Sequence, residues 1–183
     1  GLKTGNDAMR GEETILFGCD VKDVNGIFIF PGTHSKHVFV ESNKAINIKS
    51  YMTGEVFDLL VNKSILSTSV LKNEEEHMQV FFTQGVQDAT NGSFLNTIFH
   101  VRTNLLFKKL QPKENYHYLS GLLIGTELKE IPRESNVFIV SENRLLNYYL
   151  KAAEVLQLHN VTGLNADEAF INAHLKLGKL LVI

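Results

Sequence analysis

Gly26-Ile27-Phe28-Ile29-Phe30, Pro31-Gly32-Thr33-His34-Ser35-Lys36 and His37-Val38-Phe39-Val40-Glu41 run on without a break, and this stretch decides the fold. Four consecutive apolar residues, Ile27 to Phe30, make a compact strand. Pro31 to Lys36 make a turn and Val38 to Val40 a second strand, so the segment reads as a β-hairpin with an unusually polar tip. A further turn at Ser42-Asn43-Lys44 leads into Ala45–Tyr51, where Ile46 and Ile48 alternate with polar residues as in a half-buried strand. The expectation is a three-stranded antiparallel meander.

Upstream, the first ten residues are polar and read as a frayed entry. Glu12 to Phe17 follows as a short helix, its carboxylates at the positive end of the helix dipole. Downstream the pattern turns helical. Thr53 is placed to cap a helix through Leu60. Glu74–Gln84 and Phe94–Lys109 carry apolar residues at three- and four-residue spacing on either side of an Asn91-Gly92 turn. Tyr116–Lys129 is another helix, stopped before Pro132. Val137–Val140 is a short buried strand, and Ser141 is placed to cap a helix with Leu145, Tyr149, Ala153 and Leu156 on one face. Asn165 and Glu168 have capping-box spacing before a last helix that Gly178 should end. No repeat, low-complexity stretch or linker marks a boundary, so residues 1–183 are expected to form one α/β domain of mixed layers.

The 183 residues can bury roughly 70% of the surface of the unfolded chain, enough for a core without disulfides or structural metal. With 18 Lys and Arg against 20 Asp and Glu, the net charge is −2, which argues against a nucleic-acid partner held by clustered cations. A single cysteine, Cys19, excludes a disulfide framework and a multi-cysteine zinc site, and it reads as a buried thiol. No apolar run approaches the ~20 residues a membrane span needs. The chain opens with Gly1 rather than Met, which suggests a processed product or a fragment.

Chemistry concentrates at the hairpin tip. Gly32 lets backbone N–H groups approach an anion, Thr33 and Ser35 add hydroxyl donors and Lys36 adds positive charge, the requirements for holding a phosphate at a turn. The spacing is not that of a Walker A loop. An ordinary polar hairpin turn uses the same residue types, so both readings stand on these residues alone. Arg10-Gly11-Glu12-Glu13 sets a cation and two carboxylates before an apolar helix. A carboxylate held near phosphates can serve as general base for a hydroxyl nucleophile, and acid at a helix N-terminus is the plainer reading. His34 and His37 are poorly spaced as metal ligands, and no metal site is assigned. Glu74-Glu75-Glu76 reads as a solvated helix start.

Several ordered motifs together resemble the 2-dehydro-3-deoxygalactonokinase family: Met9-Arg10-Gly11-Glu12-Glu13-Thr14, Pro31 to Lys36, and Met52-Thr53-Gly54-Glu55. Phe99-His100-Val101-Arg102-Thr103 and Ser120-Gly121-Leu122-Leu123-Ile124-Gly125-Thr126-Glu127 continue the likeness along essentially the whole chain. The resemblance implies a domain of the RNase H-like fold shared by actin, hexokinase and the Hsp70 ATPase. It implies ATP and Mg2+ as cofactors, a sugar acid as the other small-molecule partner, and a cytoplasmic enzyme with no membrane or nucleic-acid partner, homo-oligomerisation being left open. It makes Gly32, Thr33, His34, Ser35 and Lys36 the phosphate-binding loop. It makes Ser141, Glu142 and Asn143 contacts for adenosine, where relatives more often carry a Gly-rich turn. Gly121 and Gly125 would let the neighbouring helix approach the nucleotide, helix packing alone being the other reading. His37 stands where a Trp is usual in the family. Glu12, with Glu13 as the near alternative, would be the catalytic carboxylate, and Arg10 would meet the substrate carboxylate.

The reaction implied is attack by the 6-hydroxyl of 2-dehydro-3-deoxy-D-galactonate on the γ-phosphoryl group of ATP. The family's first phosphate motif, an Asp-Trp-Gly-Thr-Ser-like stretch, does not occur in the chain. The expectation is therefore the C-terminal, nucleotide-binding half of the kinase, with the N-terminal domain absent and the isolated chain incomplete as an enzyme. The alternatives are a non-catalytic nucleotide-binding module or fragment, and a kinase for another 2-keto-3-deoxy sugar acid.

Overall fold

In the computed structural model, residues 1–21, 25–73 and 79–181 are described. The apolar run that opens the hairpin forms β3 (Gly26–Phe30), which turns at the tip into β4 (Ser35–Glu41), and Ser42 and Asn43 then turn the chain into β5 (Lys44–Tyr51). Both turn residues have positive φ, a conformation Asn tolerates better than most. β3 pairs antiparallel with β4 and β4 with β5. The register skips Ile46, since Phe39 faces Asn47 while Val40 faces Ala45. This bulge separates two residues expected to share a face: Ile48 is 2% exposed and Ile46 is 50% exposed.

The described chain divides into two compact units. The first comprises residues 1–51, 134–150 and 159–183. Its five-stranded sheet has the order β5-β4-β3-β6-β7, with β6 (Asn136–Ser141) parallel to β3 and β7 (Asn160–Asn165) parallel to β6. The sheet is thus antiparallel on one side of β3 and parallel on the other. Sequence pattern missed β7, a polar edge strand interrupted by Gly163. Along one face Phe28, Phe30, Val38, Val40, Ile48 and Val140 pack with Met9 and with Ile15 and Leu16 of α1 (Glu12–Gly18). α8 (Ala166–Leu181) crosses α1 on that face, Gly18 lying so close that an added Cβ would sit 1.7 Å from the Ala169 carbonyl oxygen. Asn165 caps α8, its side-chain oxygen accepting from the N–H groups of Asp167 and Glu168 at 2.9 and 3.0 Å. α8 runs through Gly178 rather than ending there.

The first ten residues are not frayed. β1 (Leu2–Thr4) and β2 (Asp7–Met9) pair across a two-residue Gly5-Asn6 loop. Side chains tie this hairpin to β5: the Thr4 hydroxyl accepts from Ile48 N–H at 3.0 Å and the Asp7 carboxylate from Ser50 N–H at 2.7 Å. They satisfy donors that an open sheet edge would leave unpaired.

The second unit comprises residues 52–133 and 151–158 and is helical. α2 (Thr53–Lys63) has Met52 at its N-cap, so Thr53 does not cap it; the Thr53 hydroxyl instead donates to the Glu127 carboxylate. α3 (Gln79–Ala89) follows; Glu74 to Glu76, expected at a helix start, lie outside the described residues. The stretch expected as one helix from Phe94 is two, α4 (Phe94–Thr97) and α5 (His100–Leu106). α6 (Pro112–Leu128) starts four residues before its expected start, because Gln111 and Glu114 form a capping box with Pro112 in the first turn. Leu66, Val101, Leu119 and Leu122 are among the core residues of this second unit.

α7 (Asn143–Val155) begins in the first unit, where Leu146 and Leu150 lie against Gly163 of β7. Ser141 is the last residue of β6, so it does not cap α7; the Glu142 carbonyl accepts the first helical bond, from Leu146 N–H.

Candidate functional site

Strands β3 and β6 run side by side, with Ile29 opposite Ile139, so their carboxyl ends open on the same edge of the sheet. In open α/β sheets the crevice beyond those ends is the usual ligand position. Here the crevice is an open cleft of about 1390 Å³ lying within the first unit. Phe30 and the tip residues Pro31 to His34 form one wall, Val140, Ser141 and Glu142 another, and Arg10 and Glu12 lie at the entrance to α1.

Four cationic side chains, Lys3, Arg10, Lys36 and Arg144, face two carboxylates, Glu12 and Glu142. The cleft therefore suits an anion. Lys36 is 7% exposed, and its ammonium donates to the His34 carbonyl oxygen at 2.8 Å, which ties the tip to the second residue of β4. Thr33 and His34 are exposed at the tip. Arg10 and Lys3 are exposed and make no side-chain hydrogen bond or ion pair among the described residues.

The two candidate carboxylates part company at the start of α1. Gly11 precedes the helix at φ 115, a conformation open to glycine, and both side chains fold back over the N-terminal donors. One oxygen of Glu12 accepts from Arg10 N–H at 3.1 Å, and the residue lines the cleft. Glu13 accepts from Gly11 N–H at 2.8 Å and pairs with the N-terminal ammonium at 3.0 Å. Burial raises the Glu13 pKa, but hydrogen bonds from its own and Gly11's N–H groups and the N-terminal charge together hold it below the ordinary value. Glu13 lines a second cavity, with Leu16, Phe17 and Cys19.

Of the other expected site residues, Gly32, Thr33, His34, Lys36, Ser141, Glu142 and Arg10 come together in the cleft. Ser35 is fully buried at the start of β4 and does not line it. Asn143 is the first residue of α7. Gly121 and Gly125 belong to the second unit, where both abut α3: a Cβ at Gly121 would sit 2.0 Å from the Phe82 carbonyl oxygen. Arg102, in another of the motifs, donates to the hydroxyls of Thr68 and Ser69 at 3.1 and 3.2 Å.

Lys3 and Arg144 escaped sequence reasoning. A Gly-Asn pair between short segments is a hairpin signal that could have placed Lys3 on a strand. Arg144 sits two residues beyond Glu142, close enough to have been included with it.

The 2-keto-3-deoxy-galactonokinase family model matches residues 1–177. The chain belongs to that family. It is 29% identical over 170 residues to the 2-dehydro-3-deoxygalactonokinase of Escherichia coli K12, covering 90% of this chain and 57% of that protein. It is 33% identical over 172 residues to the "Probable 2-dehydro-3-deoxygalactonokinase DgoK1" of Rhizobium meliloti 1021, covering 89% and 56%. A crystal structure from Sinorhizobium meliloti, named for the same kinase, superimposes with a TM-score of 0.87 at 30% identity, covering 96% of this chain and 61% of that one. The chain thus spans a little over half the length of the curated relatives it matches.

Proposed function

We propose that the chain is the C-terminal, nucleotide-binding part of a kinase that phosphorylates the 6-hydroxyl of 2-dehydro-3-deoxy-D-galactonate with ATP. The observation that carries this reading is the cationic cleft at the carboxyl ends of β3 and β6, with Glu12 beside the hairpin tip. The sheet order, antiparallel through β5-β4-β3 and parallel through β3-β6-β7, supports an RNase H-like domain. Names of the family and its relatives supply the substrate class.

In this reading the tip holds the phosphates. Gly32 offers its backbone without a side chain in the way, since nothing lies within 4 Å of where its Cβ would be. Thr33 adds a hydroxyl donor, His34 lines the same wall, and Lys36 supplies charge from the cleft floor. Ser35, being buried, supports the strand start rather than the ligand. Arg10 meets the sugar-acid carboxylate, and Glu12 accepts the proton of the attacking hydroxyl as its oxygen bonds to the γ-phosphorus and the bond to the β-phosphate bridge breaks. Positioning and charge carry most of such a transfer. Glu12 is preferred over Glu13 because its carboxylate faces the cleft. Ser141 to Asn143 are assigned to adenosine, and Gly121 and Gly125 to the packing of α6 on α3.

Among the described residues no group of three His, Cys, Asp or Glu could hold a metal ion. Mg2+ would arrive on the ATP phosphates with its own waters and neutralise charge on the transferred group. The partial span of the relatives supports a need for further chain to complete the sugar site.

The test is phosphorylation of a panel of 2-keto-3-deoxy sugar acids by the protein carrying the rest of the family's length. The galacto acid should be the best substrate; a better rate on another acid reassigns the substrate. Turnover by residues 1–183 alone would overturn the requirement for further chain.

A further inference from the structure

We infer that Ser141 and Glu142 form a subsite for the vicinal hydroxyls of the nucleotide's ribose, so that the cleft selects ribonucleotides over deoxyribonucleotides; this rests on the nucleotide-binding reading above. Ser141 is 7% exposed and lines the cleft, yet its hydroxyl makes no hydrogen bond among the described residues. The hydroxyl oxygen is not one of the fully buried atoms left without a partner, so it opens on the cleft, where it can donate to and accept from a ligand.

Glu142 is exposed beside it and lines the same cleft. At the entrance to a helix, the short side chains of Ser, Thr, Asp and Asn accept from the first-turn N–H groups, a role the longer Glu side chain does not favour. The backbone carbonyl of Glu142 joins α7 through Leu146 N–H at 3.0 Å, while its side chain takes no hydrogen bond or ion pair among the described residues. An ionised carboxylate only accepts, and it repels phosphate, so its ligand must bring donors. A hydroxyl both donates and accepts. Together they match a pair of adjacent alcohols, and carboxylates hold ribose hydroxyls in the same way in dinucleotide-binding folds.

Position agrees with chemistry. Ile29 faces Ile139, so the end of β6 runs beside the start of the hairpin tip, about 4.8 Å away at ordinary strand spacing. A ligand whose phosphates meet the tip and Lys36 presents its next group to Ser141 and Glu142.

The test is calorimetric titration of the 183-residue chain with MgATP, Mg-2′-deoxy-ATP and Mg-3′-deoxy-ATP, repeated for Glu142→Ala and Ser141→Ala. ATP should bind about tenfold or more tightly than either deoxy analogue. Glu142→Ala should weaken ATP and leave the analogues nearly unchanged, erasing the preference, with circular dichroism unaltered. Equal binding of all three nucleotides overturns the ribose subsite while leaving the phosphate site standing. So does a preference that survives in Glu142→Ala. Failure of every nucleotide to bind overturns the nucleotide reading, and the subsite with it.

Discussion

Glu12 and Glu13 are neighbours with the same side chain, yet one carboxylate faces the cleft and the other a second cavity. Sequence could narrow the choice to these two. It could not separate them, because which way each side chain turns depends on how Gly11 opens α1. Lys36 shows the same kind of dependence: it lines the cleft where β4 pairs it with Phe30, and the His34 carbonyl accepts from its ammonium at 2.8 Å. Lys36→Met should lower nucleotide affinity by about tenfold or more, the worth of a charge-assisted contact, while the circular dichroism spectrum stays unchanged. Unchanged affinity would remove Lys36 from the phosphate contacts. Cys19, read from sequence as a buried thiol, has its pKa pushed by burial from 9.0 to about 11, the Lys176 charge opposing only part of the rise. At pH 8 its thiolate population is about a hundredfold below that of an unshifted thiol. Alkylation by iodoacetamide should be slower by a similar factor in the folded chain than in denaturant. Equal rates would mean the thiol is not sheltered.

Elements read best where one pattern sufficed. The apolar run through Phe30 and the polar tip gave the hairpin, and Asn165 with Glu168 gave the start of α8. The misses have physical causes. β7 is a polar edge strand that needs only one partner, β6, so its residues carry little periodicity. β1 and β2 are three residues each and gain their order from side-chain bonds to β5, which no local pattern displays. Ile46 was misread because a bulge reverses the alternation. Two element contacts can be tested through stability. Asn165→Ala removes the α8 cap and should cost about 1 kcal/mol in chemical denaturation. Gly121→Ala puts a methyl group 2.0 Å from the Phe82 carbonyl oxygen in α3, and Gly85 meets Tyr118 of α6 equally closely. That substitution should cost about 1–3 kcal/mol or more, because backbone atoms cannot move aside as a flexible side chain would. A neutral effect would show that α3 and α6 can separate at little cost.

At the scale of the whole molecule, the sheet brings together residues far apart in sequence. Arg10 and Glu12, Thr33 and Lys36, and Ser141 and Glu142 come from three separate segments of the first unit and line one cleft. The motifs gave most of these residues in order, but only the parallel pairing of β3 with β6 explains why the hairpin tip and Ser141 share an edge. No described helix is long and apolar enough to cross a membrane. Glu12 is proposed as the base of a phosphoryl transfer carried out at this cleft. Glu12→Gln, made in the protein that includes the rest of the family's length, tests it through kcat for the galacto acid together with the affinity for MgATP. A fall in kcat of about 10²- to 10⁴-fold with nucleotide affinity preserved is expected. Near-normal turnover in that variant would contradict it.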